Sequence, residues 1–571
     1  MGRAASTLVV LALLAFMAAL MAAPIREESA TIDEPLFLAT GYGYTHGFGL
    51  GFDPEQPPLA KMISAEPLRF MDVTLSPDVR ALLEHRRIIF SSTRTWNGSA
   101  RPVKELFSGR ADTWYFWPYW EGDILGQEFV YGGDNNAGQL LSAGRWMQVV
   151  LSLLTGAVIF LWLRELGGPE AGVLGVALWA FNPLALAYGH LVLTDMGVTL
   201  GILLAVWTFA RFLKEPGAGR ALICGLSCGC AVLMKFTAIV IVPLFLVLGV
   251  AHVVARGGAR AGWKYVPVIA LAAALTVLLV YAPYWTPAPR ISAEQAARIG
   301  VPAWFQLLRP VLVPPGFFKG LALQMAHAAF GHEAFLCGEW RQTGWWYYFP
   351  VAFLLKTPLP LLAITLAGLV LWMGGLRRFD FDLSVPWLAA KLYFLLAMTS
   401  SIDIGVRYLL PIVPLLAVGA ASQIARRSRP VRLAGWLCAA WLAVVALLAH
   451  PHYIEYFNEC AGGPANGYTR LVDSNLDWGQ DAKRLKQYVS EHPVTNLCVD
   501  YFGPPRALDY YDIPCRSVTA DQARVLTNTT LIVSATSLMR PEWDWLRTRQ
   551  QPAARIAYTL FVYHLGDQAA R

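Results

Sequence analysis

The chain is dominated by long apolar stretches that are separated by short charged loops. After Met1-Gly2-Arg3, a first apolar stretch covers residues 6–24, and the others cover 146–163, 171–189, 196–213, 220–234, 237–255, 265–283, 346–373, 384–400, 408–424 and 433–449. A helix needs about 20 apolar residues to cross the hydrocarbon core of a membrane, so these stretches predict about eleven transmembrane helices. A cleaved signal peptide is the alternative for the first stretch, and Pro24 disfavours cleavage there.

The composition agrees with a membrane protein. Of the 571 residues, 56% are hydrophobic and 15% are charged, whereas soluble domains usually carry about a quarter charged residues. The net charge of +7 does not indicate nucleic-acid binding, because Lys and Arg lie in short loops between apolar stretches. We therefore expect an all-α polytopic membrane protein and no nucleic-acid partner.

The distribution of basic residues predicts the orientation of the chain. Alternate loops carry Arg164; Arg211, Lys214 and Arg220; Arg256, Arg260 and Lys264; Arg377 and Arg378; and Arg426, Arg427, Arg429 and Arg432. Basic loops remain in the cytoplasm, so the N-terminus is predicted to be cytoplasmic and the C-terminus external. The opposite, external side then receives two long loops, 25–145 and 284–345.

The sequence changes character after residue 449. We expect a transmembrane domain over residues 1–449 and a small external α/β domain over 450–571. A helix is predicted around Trp478–Val489, and strands are predicted at 496–502, 530–534 and 555–564. Cys498 and Cys515 form a disulfide only if this domain is external, and the sequence leaves their connectivity open.

Ionisable residues at the membrane edge collect on the predicted external side. They are Asp33, Glu34, Lys61, Arg145, Asp195, Lys235, Glu339 and Arg407. Charges at membrane depth are costly and indicate a functional site by default. Each also has a structural interpretation: Arg145 and Lys235 as anchors that extend to the interface, Asp33-Glu34-Pro35 as a helix start, and Asp195 as a helix cap.

Several short motifs of the chain point together to a known family. They are Asp33-Glu34, Pro57-Pro58-Leu59-Ala60-Lys61, Arg145, Leu193-Thr194-Asp195, Gly344–Pro350, Leu355–Pro358, Ile404–Pro411 and Asp473–Asp481. In these segments, which run from about residue 30 to 490, the sequence resembles the protein O-mannosyltransferases and bacterial members of glycosyltransferase family 39. Those proteins are GT-C glycosyltransferases that depend on a phospholipid carrier.

The resemblance implies a GT-C fold and a sugar donor linked to polyprenyl or dolichyl phosphate. It implies transfer with inversion on the external face to a lipid, glycan or protein acceptor, in a bacterial inner membrane. Two departures bear on the substrates. Gln56 stands where the eukaryotic mannosyltransferases have His and the aminoarabinose transferases have Lys, and the loop 284–345 is too short for the β-trefoil domain of the eukaryotic enzymes.

Chemistry assigns a role to each charged residue. An acceptor hydroxyl needs a carboxylate to take its proton, and we expect Asp33 to be this base, with Glu34 or Asp195 orienting the substrates. The leaving phosphate needs cations, for which Arg145 and Arg407 are the first candidates and Lys61 and Lys235 the second.

We place Glu339 on the acceptor side. Neither a metal nor another cofactor is predicted, although Asp33 and Asp195 would be able to share a cation if they converged.

Two rival functions fit a chain with many spans. A transporter or lipid flippase would show repeated halves with matching broken helices, and no such duplication is visible. A sensor or assembly factor would act through residues 450–571 and would not need Asp33.

Overall fold

The computed structural model describes residues 2–49, 53–85, 113–256, 262–284, 314–375 and 379–566. Helices dominate these residues up to position 449. They are α1 Arg3–Glu27, α2 Asp33–Thr45, α3 Leu59–Ala65, α4 Pro77–His85, α5 Thr113–Tyr131, α6 Ala137–Ala180, α7 Pro183–Tyr188, α8 Asp195–Lys214, α9 Ala218–Met234, α10 Ile241–Arg256, α11 Val266–Tyr281, α12 Pro315–Phe330, α13 Tyr348–Lys356, α14 Leu359–Gly374, α15 Phe381–Ala397, α16 Ile412–Ala425 and α17 Arg429–Ala449.

Each predicted apolar stretch coincides with helix, which confirms an all-α membrane fold. Within the described ranges, six helices are long and apolar enough to cross a membrane, or seven if the bent pair α13–α14 is one span. The number of spanning helices is lower than the predicted number of about eleven for two reasons. Helix α6, with 44 residues, contains two of them and is interrupted at Gly168, whose φ of 82° is not helical. Helices such as α9 and α16 are shorter than a full span.

The loops predicted to be cytoplasmic contact one another. Arg432 pairs with Glu170 at 2.8 Å, and Arg211 lies 3.7 Å from Glu165. Arg426 donates a hydrogen bond to the carbonyl of Leu166 at 3.2 Å. One end of the helix bundle therefore carries these basic loops, while Arg260, Arg377 and Arg378 fall outside the described residues.

The long loop 284–345 contains an element that the sequence did not indicate. Residues 285–313 lie outside the described part, and α12 follows them. Strands β1 Ala334–Leu336 and β2 Glu339–Arg341 then form an antiparallel hairpin. Three-residue strands are too short for an alternating pattern to be recognised.

The residues after 449 form a mixed five-stranded sheet with short helices. Its strands are β3 Cys498–Asp500, β4 Arg516–Ser517, β5 Thr529–Ser534, β6 Ala554–Ile556 and β7 Leu560–Leu565, in the order β4-β3-β5-β7-β6. Strand β3 runs parallel to β4 and β5, and β7 runs antiparallel to β5 and β6. The helices are α18 Ala482–Glu491, α19 Pro505–Tyr510, α20 Ala520–Ala523, α21 Ala535–Leu538 and α22 Asp544–Arg549.

Two details of this region correct the sequence prediction. The strand expected over 555–564 is the hairpin β6–β7, and the helix expected from Trp478 begins at Ala482. Cys498 on β3 and Cys515 beside β4 are free thiols. The observed elements nevertheless match the predicted small α/β region.

Candidate active site

Four predicted site residues from four elements meet in one charged cluster. Asp33 is the first residue of α2 and Asp195 the first residue of α8, where the positive end of each helix dipole favours a carboxylate. Lys235 follows the end of α9, and Arg407 lies in the short helix Val406–Leu409. Each charge therefore sits at a helix end, where the chain can turn its side chain toward the common centre.

The distances within the cluster are those of ion pairs. Arg407 Nη1 lies 3.0 Å from Asp33 Oδ2 and 3.7 Å from Asp195 Oδ2. Lys235 Nζ lies 2.8 Å from Asp195 Oδ1. Arg407 thus bridges the two carboxylates, and the position where a shared metal was considered is taken by a guanidinium.

The cluster is buried but still has unused hydrogen-bonding capacity. The side chains of Arg407, Lys235 and Asp195 are 6%, 5% and 3% exposed, and that of Asp33 is 15% exposed. Among the described residues, Asp195 Oδ2 and Arg407 Nε have no hydrogen-bond partner. Buried polar atoms are nearly always satisfied, so these two point to a site that takes a ligand.

Aromatic faces hold the two cations. The ring of Tyr408 lies 4.5 Å from Lys235 Nζ and 5.4 Å from the guanidinium carbon of Arg407. The ring of Trp478 lies 4.2 Å from the same carbon of Arg407. Cation–π attraction is strongest when the groups are desolvated, as they are here. Tyr408 and Trp478 lie within two of the motifs that carry the family resemblance, but nothing in the sequence indicated a role for either residue.

Arg145 and Glu34 form a separate buried pair, which corrects their predicted roles. Arg145 Nε and Nη2 donate to the two carboxylate oxygens of Glu34 at 2.8 and 2.6 Å. The remaining N–H groups of Arg145 donate to the carbonyls of Ile25, Glu28 and Ser29. Both side chains are fully buried. Arg145 therefore has no N–H left for a phosphate.

The Glu34 carboxylate is also saturated by protein groups. It accepts hydrogen bonds from the backbone N–H of Thr31 and of Val192 at 2.9 and 3.0 Å. Glu34 therefore joins α2 to α6 and to the segment before α8. Because its carboxylate oxygens are occupied by these groups, Glu34 is not free to orient a substrate.

Lys61 anchors the Pro57-Pro58 turn instead of facing the cluster. Its Nζ donates to Asp53 Oδ2 and to the carbonyls of Asp53 and Gln56, all at 2.8 to 2.9 Å, and its side chain is 1% exposed. These bonds fill its three donor positions. In this arrangement no donor of Lys61 is left for the predicted secondary role at the phosphate.

Glu339 lies apart from the cluster as well. It is on β2, its side chain is 64% exposed, and it pairs with Arg341 at 3.1 Å. No described contact connects it to Asp33 or Arg407. The predicted acceptor role of Glu339 therefore has no support in the structure.

Three titratable residues beside the cluster, His327, His332 and Asp123, were missed in the sequence. His327 contacts Glu55 at 2.6 Å and His332 at 3.1 Å. Burial and the neighbouring charges of His327 and Arg407 lower the pKa of His332 to about 4. Burial raises the pKa of Asp123 on α5 to about 7, and the charge of Asp33 adds to this shift. None of these residues lies in a motif that would have marked it.

A metal site is not visible in the residues that the structure describes. No group of three or more His, Cys, Asp or Glu side chains there is arranged to hold an ion. Absence of a metal requirement stays a prediction.

Comparisons with known proteins give one sequence match and several structural similarities. Residues 137–285 match the family described as dolichyl-phosphate-mannose-protein mannosyltransferase. No curated protein matches the chain. A crystal structure of ArnT from Cupriavidus metallidurans bound to undecaprenyl phosphate is similar at a TM-score of 0.47 and 14% identity, over 98% of this chain and 99% of that one.

A second similar structure is the archaeal oligosaccharyltransferase AglB from Archaeoglobus fulgidus, in complex with an inhibitory peptide and a dolichol-phosphate. Its TM-score is 0.46 and its identity 12%, over 97% of this chain and 74% of that one. Residues 137–285, which include Arg145, Asp195 and Lys235, match the mannosyltransferase family model, and over these residues the family resemblance predicted from the sequence is confirmed.

Proposed function

We propose that the chain transfers a sugar from a polyprenyl-phosphate donor to an acceptor hydroxyl on the external face of a bacterial inner membrane. The observation that carries this proposal is the convergence of Asp33, Asp195, Lys235 and Arg407 in one buried cluster. A carboxylate beside two cations at a membrane edge supplies both a base and a phosphate site. The description of the family that residues 137–285 match names dolichyl-phosphate-mannose. This is a sugar donor of the proposed class.

Asp33 is the general base of the proposed reaction. It is the most exposed carboxylate of the cluster, and Arg407 fixes the orientation of its Oδ2. As the acceptor oxygen bonds to the anomeric carbon, Asp33 takes the hydroxyl proton. The bond from the anomeric carbon to the phosphate oxygen breaks at the same time, which inverts the configuration.

Arg407 and Lys235 bind the departing lipid phosphate. The phosphate leaves with the bonding electron pair, and two cations in a site with little water stabilise that charge. Asp195 contacts both cations and is 3% exposed, so it positions them and does not receive the proton. No step of this scheme requires a metal.

Replacing the base tests the proposal. Purified wild-type protein is incubated with undecaprenyl- and dolichyl-phosphate sugars and membrane extracts, and the products are identified by mass spectrometry. Asp33→Asn is expected to lower the rate of sugar transfer by about 100-fold or more, because a carboxamide cannot accept the proton. The control Asp134→Asn changes an exposed acid between α5 and α6 and is expected to keep wild-type turnover.

Binding of undecaprenyl phosphate is measured in parallel, so that a misfolded variant is recognised. Near-normal transfer by Asp33→Asn would remove Asp33 as the base. Absence of transfer by the wild-type protein from every polyprenyl-phosphate sugar would overturn the proposed function.

A further inference from the structure

Trp478 contacts both sides of the charged cluster. Its ring lies 4.2 Å from the guanidinium carbon of Arg407. Its backbone carbonyl accepts a hydrogen bond at 3.0 Å from the N–H of Ile32, the residue before Asp33. With 2% exposure, Trp478 is held firmly between these neighbours. One residue of the C-terminal region therefore connects the start of α2 to the short helix that carries Arg407.

The segment around Trp478, Asp473–Asp481, is fixed to the membrane domain at several other points. Asn475 Oδ1 accepts from the N–H of Val406 at 2.8 Å, and Ser474 Oγ donates to the carbonyl of Ile404 at 2.8 Å. Lys356 Nζ donates to the carbonyl of Asn475 at 2.6 Å. These bonds define where the backbone on either side of Arg407 runs.

The same segment fixes the chain before Asp33. Gly479 has a φ of 91°, a conformation that favours glycine. Its carbonyl accepts from Ser29 Oγ at 2.9 Å, and the next carbonyl, that of Gln480, accepts from the Ser29 N–H at 2.8 Å. The turn at Gly479 thus brings three consecutive carbonyls, of Trp478, Gly479 and Gln480, onto Ser29–Ile32.

The indole ring restricts Arg407 where hydrogen bonds do not. Arg407 Nη1 is paired with Asp33, whereas Nε has no partner in the described residues. The ion pairs of Arg407 with Asp33 and Asp195 both use Nη1, so they leave the rest of the guanidinium free to rotate, and immobilising a side chain when a ligand binds costs free energy. Contact with the face of the Trp478 ring holds the guanidinium in place before a ligand arrives.

We propose that Trp478 is a positioning residue that sets the guanidinium of Arg407 against Asp33, so that the phosphate of the donor is bound beside the base. This inference rests on the proposed function. It gives the segment Asp473–Asp481 a role in phosphate binding, although no residue of the segment needs to touch the substrate.

Substitutions that keep the backbone carbonyl isolate the ring. Trp478→Met removes the aromatic face, and Trp478→Phe retains a smaller one. For Trp478→Met we expect the Kd of undecaprenyl phosphate and the KM of the donor to rise about 2- to 30-fold, the range that one cation–π contact supports. Trp478→Phe is expected to restore most of this loss, which a purely structural role of the indole would not produce.

A matched control separates positioning from stability. Trp543 is another buried tryptophan of the C-terminal region, 2% exposed, and its Nε1 donates to Asp500. We expect Trp543→Met to lower the melting temperature without changing the Kd of undecaprenyl phosphate. If Trp478→Met does not fold, Trp478→Leu provides the same comparison with Trp478→Phe.

A double-mutant cycle with Arg407→Ala completes the test. If the ring acts through Arg407, Trp478→Met weakens binding in the wild-type background but not in the Arg407→Ala background. Equal effects of Trp478→Met in both backgrounds would overturn the inference, and so would an unchanged Kd in Trp478→Met. In either case, binding of undecaprenyl phosphate by the wild-type protein would leave the proposed function in place. Absence of undecaprenyl-phosphate binding by the wild-type protein would instead overturn the proposed function itself.

Discussion

Arg145 and Arg407 are both buried arginines that pair with a carboxylate at the start of α2, yet their surroundings differ. Every N–H of Arg145 has an acceptor in the protein, and all five donate to Glu34 or to carbonyls of residues 25–29. Arg407 has an unpaired Nε and an aromatic ring against its face. The first arginine is therefore a structural connection, and the second retains capacity for a ligand.

Asp123 gives the site an expected dependence on pH. Burial raises its pKa to about 7, with the charge of Asp33 adding to the shift, so Asp123 is mostly neutral below that pH and ionised above it. An ionised Asp123 adds a negative charge next to the place where the acceptor hydroxyl gives up its proton, which favours that proton transfer. Sugar transfer by the wild-type protein is therefore expected to rise between about pH 6 and 8, and Asp123→Asn is expected to remove this rise.

The measurement is the initial rate of transfer across that pH range at saturating donor. Asp72→Asn, a change at an exposed acid of the same external loop, serves as the control and is expected to keep the wild-type profile. An unchanged inflection in Asp123→Asn would mean that another group titrates.

The different roles of Asp33 and Glu34 can be predicted in part from their positions in the sequence. Neighbouring residues of a helix point about 100° apart, so Asp33 and Glu34 could not both face one site. The sequence indicated which charges are costly and on which face they lie. It did not indicate that Lys61 would meet Asp53 and Gln56, or that Trp478 would stack on Arg407, because those contacts depend on how separate loops pack.

Helix α2 is held in place by the Glu34–Arg145 pair, which joins it to α6. Glu34→Gln would leave the Arg145 charge buried without its counter-ion. Breaking such a pair typically costs about 3–5 kcal/mol, so we expect a marked fall in the melting temperature in detergent. Glu339→Gln, at an exposed acid on β2, is the control and is expected to leave the melting temperature unchanged. A melting temperature of Glu34→Gln equal to that of wild type would show that the pair does not stabilise α2.

Elements with a strong local pattern were predicted, and elements decided by packing were not. The apolar stretches predicted helices α1, α6 to α11 and α13 to α17, because crossing the lipid core requires about 20 apolar residues in a row. The hairpin β1–β2 turns at Cys337 and Gly338, which have φ values of 49° and 100°, and a glycine alone does not reveal a hairpin whose strands have three residues each. The late start of α18 follows from the hydrogen bonds that hold Asp473–Asp481 against the membrane domain.

At the scale of the whole molecule, the orientation in the membrane can be tested with cysteines that are already present. Cys337 beside β1 and Cys460 after α17 are exposed, and both belong to the face predicted to be external. A maleimide that does not cross membranes is expected to label them in intact cells with a permeabilised outer membrane.

The matched control is a cysteine on the opposite face. Ser428 precedes α17 and is exposed in a loop predicted to be cytoplasmic. In a background with Cys337 and Cys460 changed to Ser, Ser428→Cys is expected to react only after the inner membrane is opened. Labelling of Ser428→Cys in intact cells would reverse the predicted orientation.

The hydrogen bonds from Ser29 and Ile32 to Gln480 and Trp478 also bear on biosynthesis. About 450 residues separate the partners, so the ribosome completes every membrane helix before the segment that secures the reacting groups emerges. A nascent or prematurely terminated polypeptide would therefore be inserted in the bilayer without competence for sugar transfer. The proposed sugar transfer would be possible only once these last residues have been synthesised and have packed against the membrane helices.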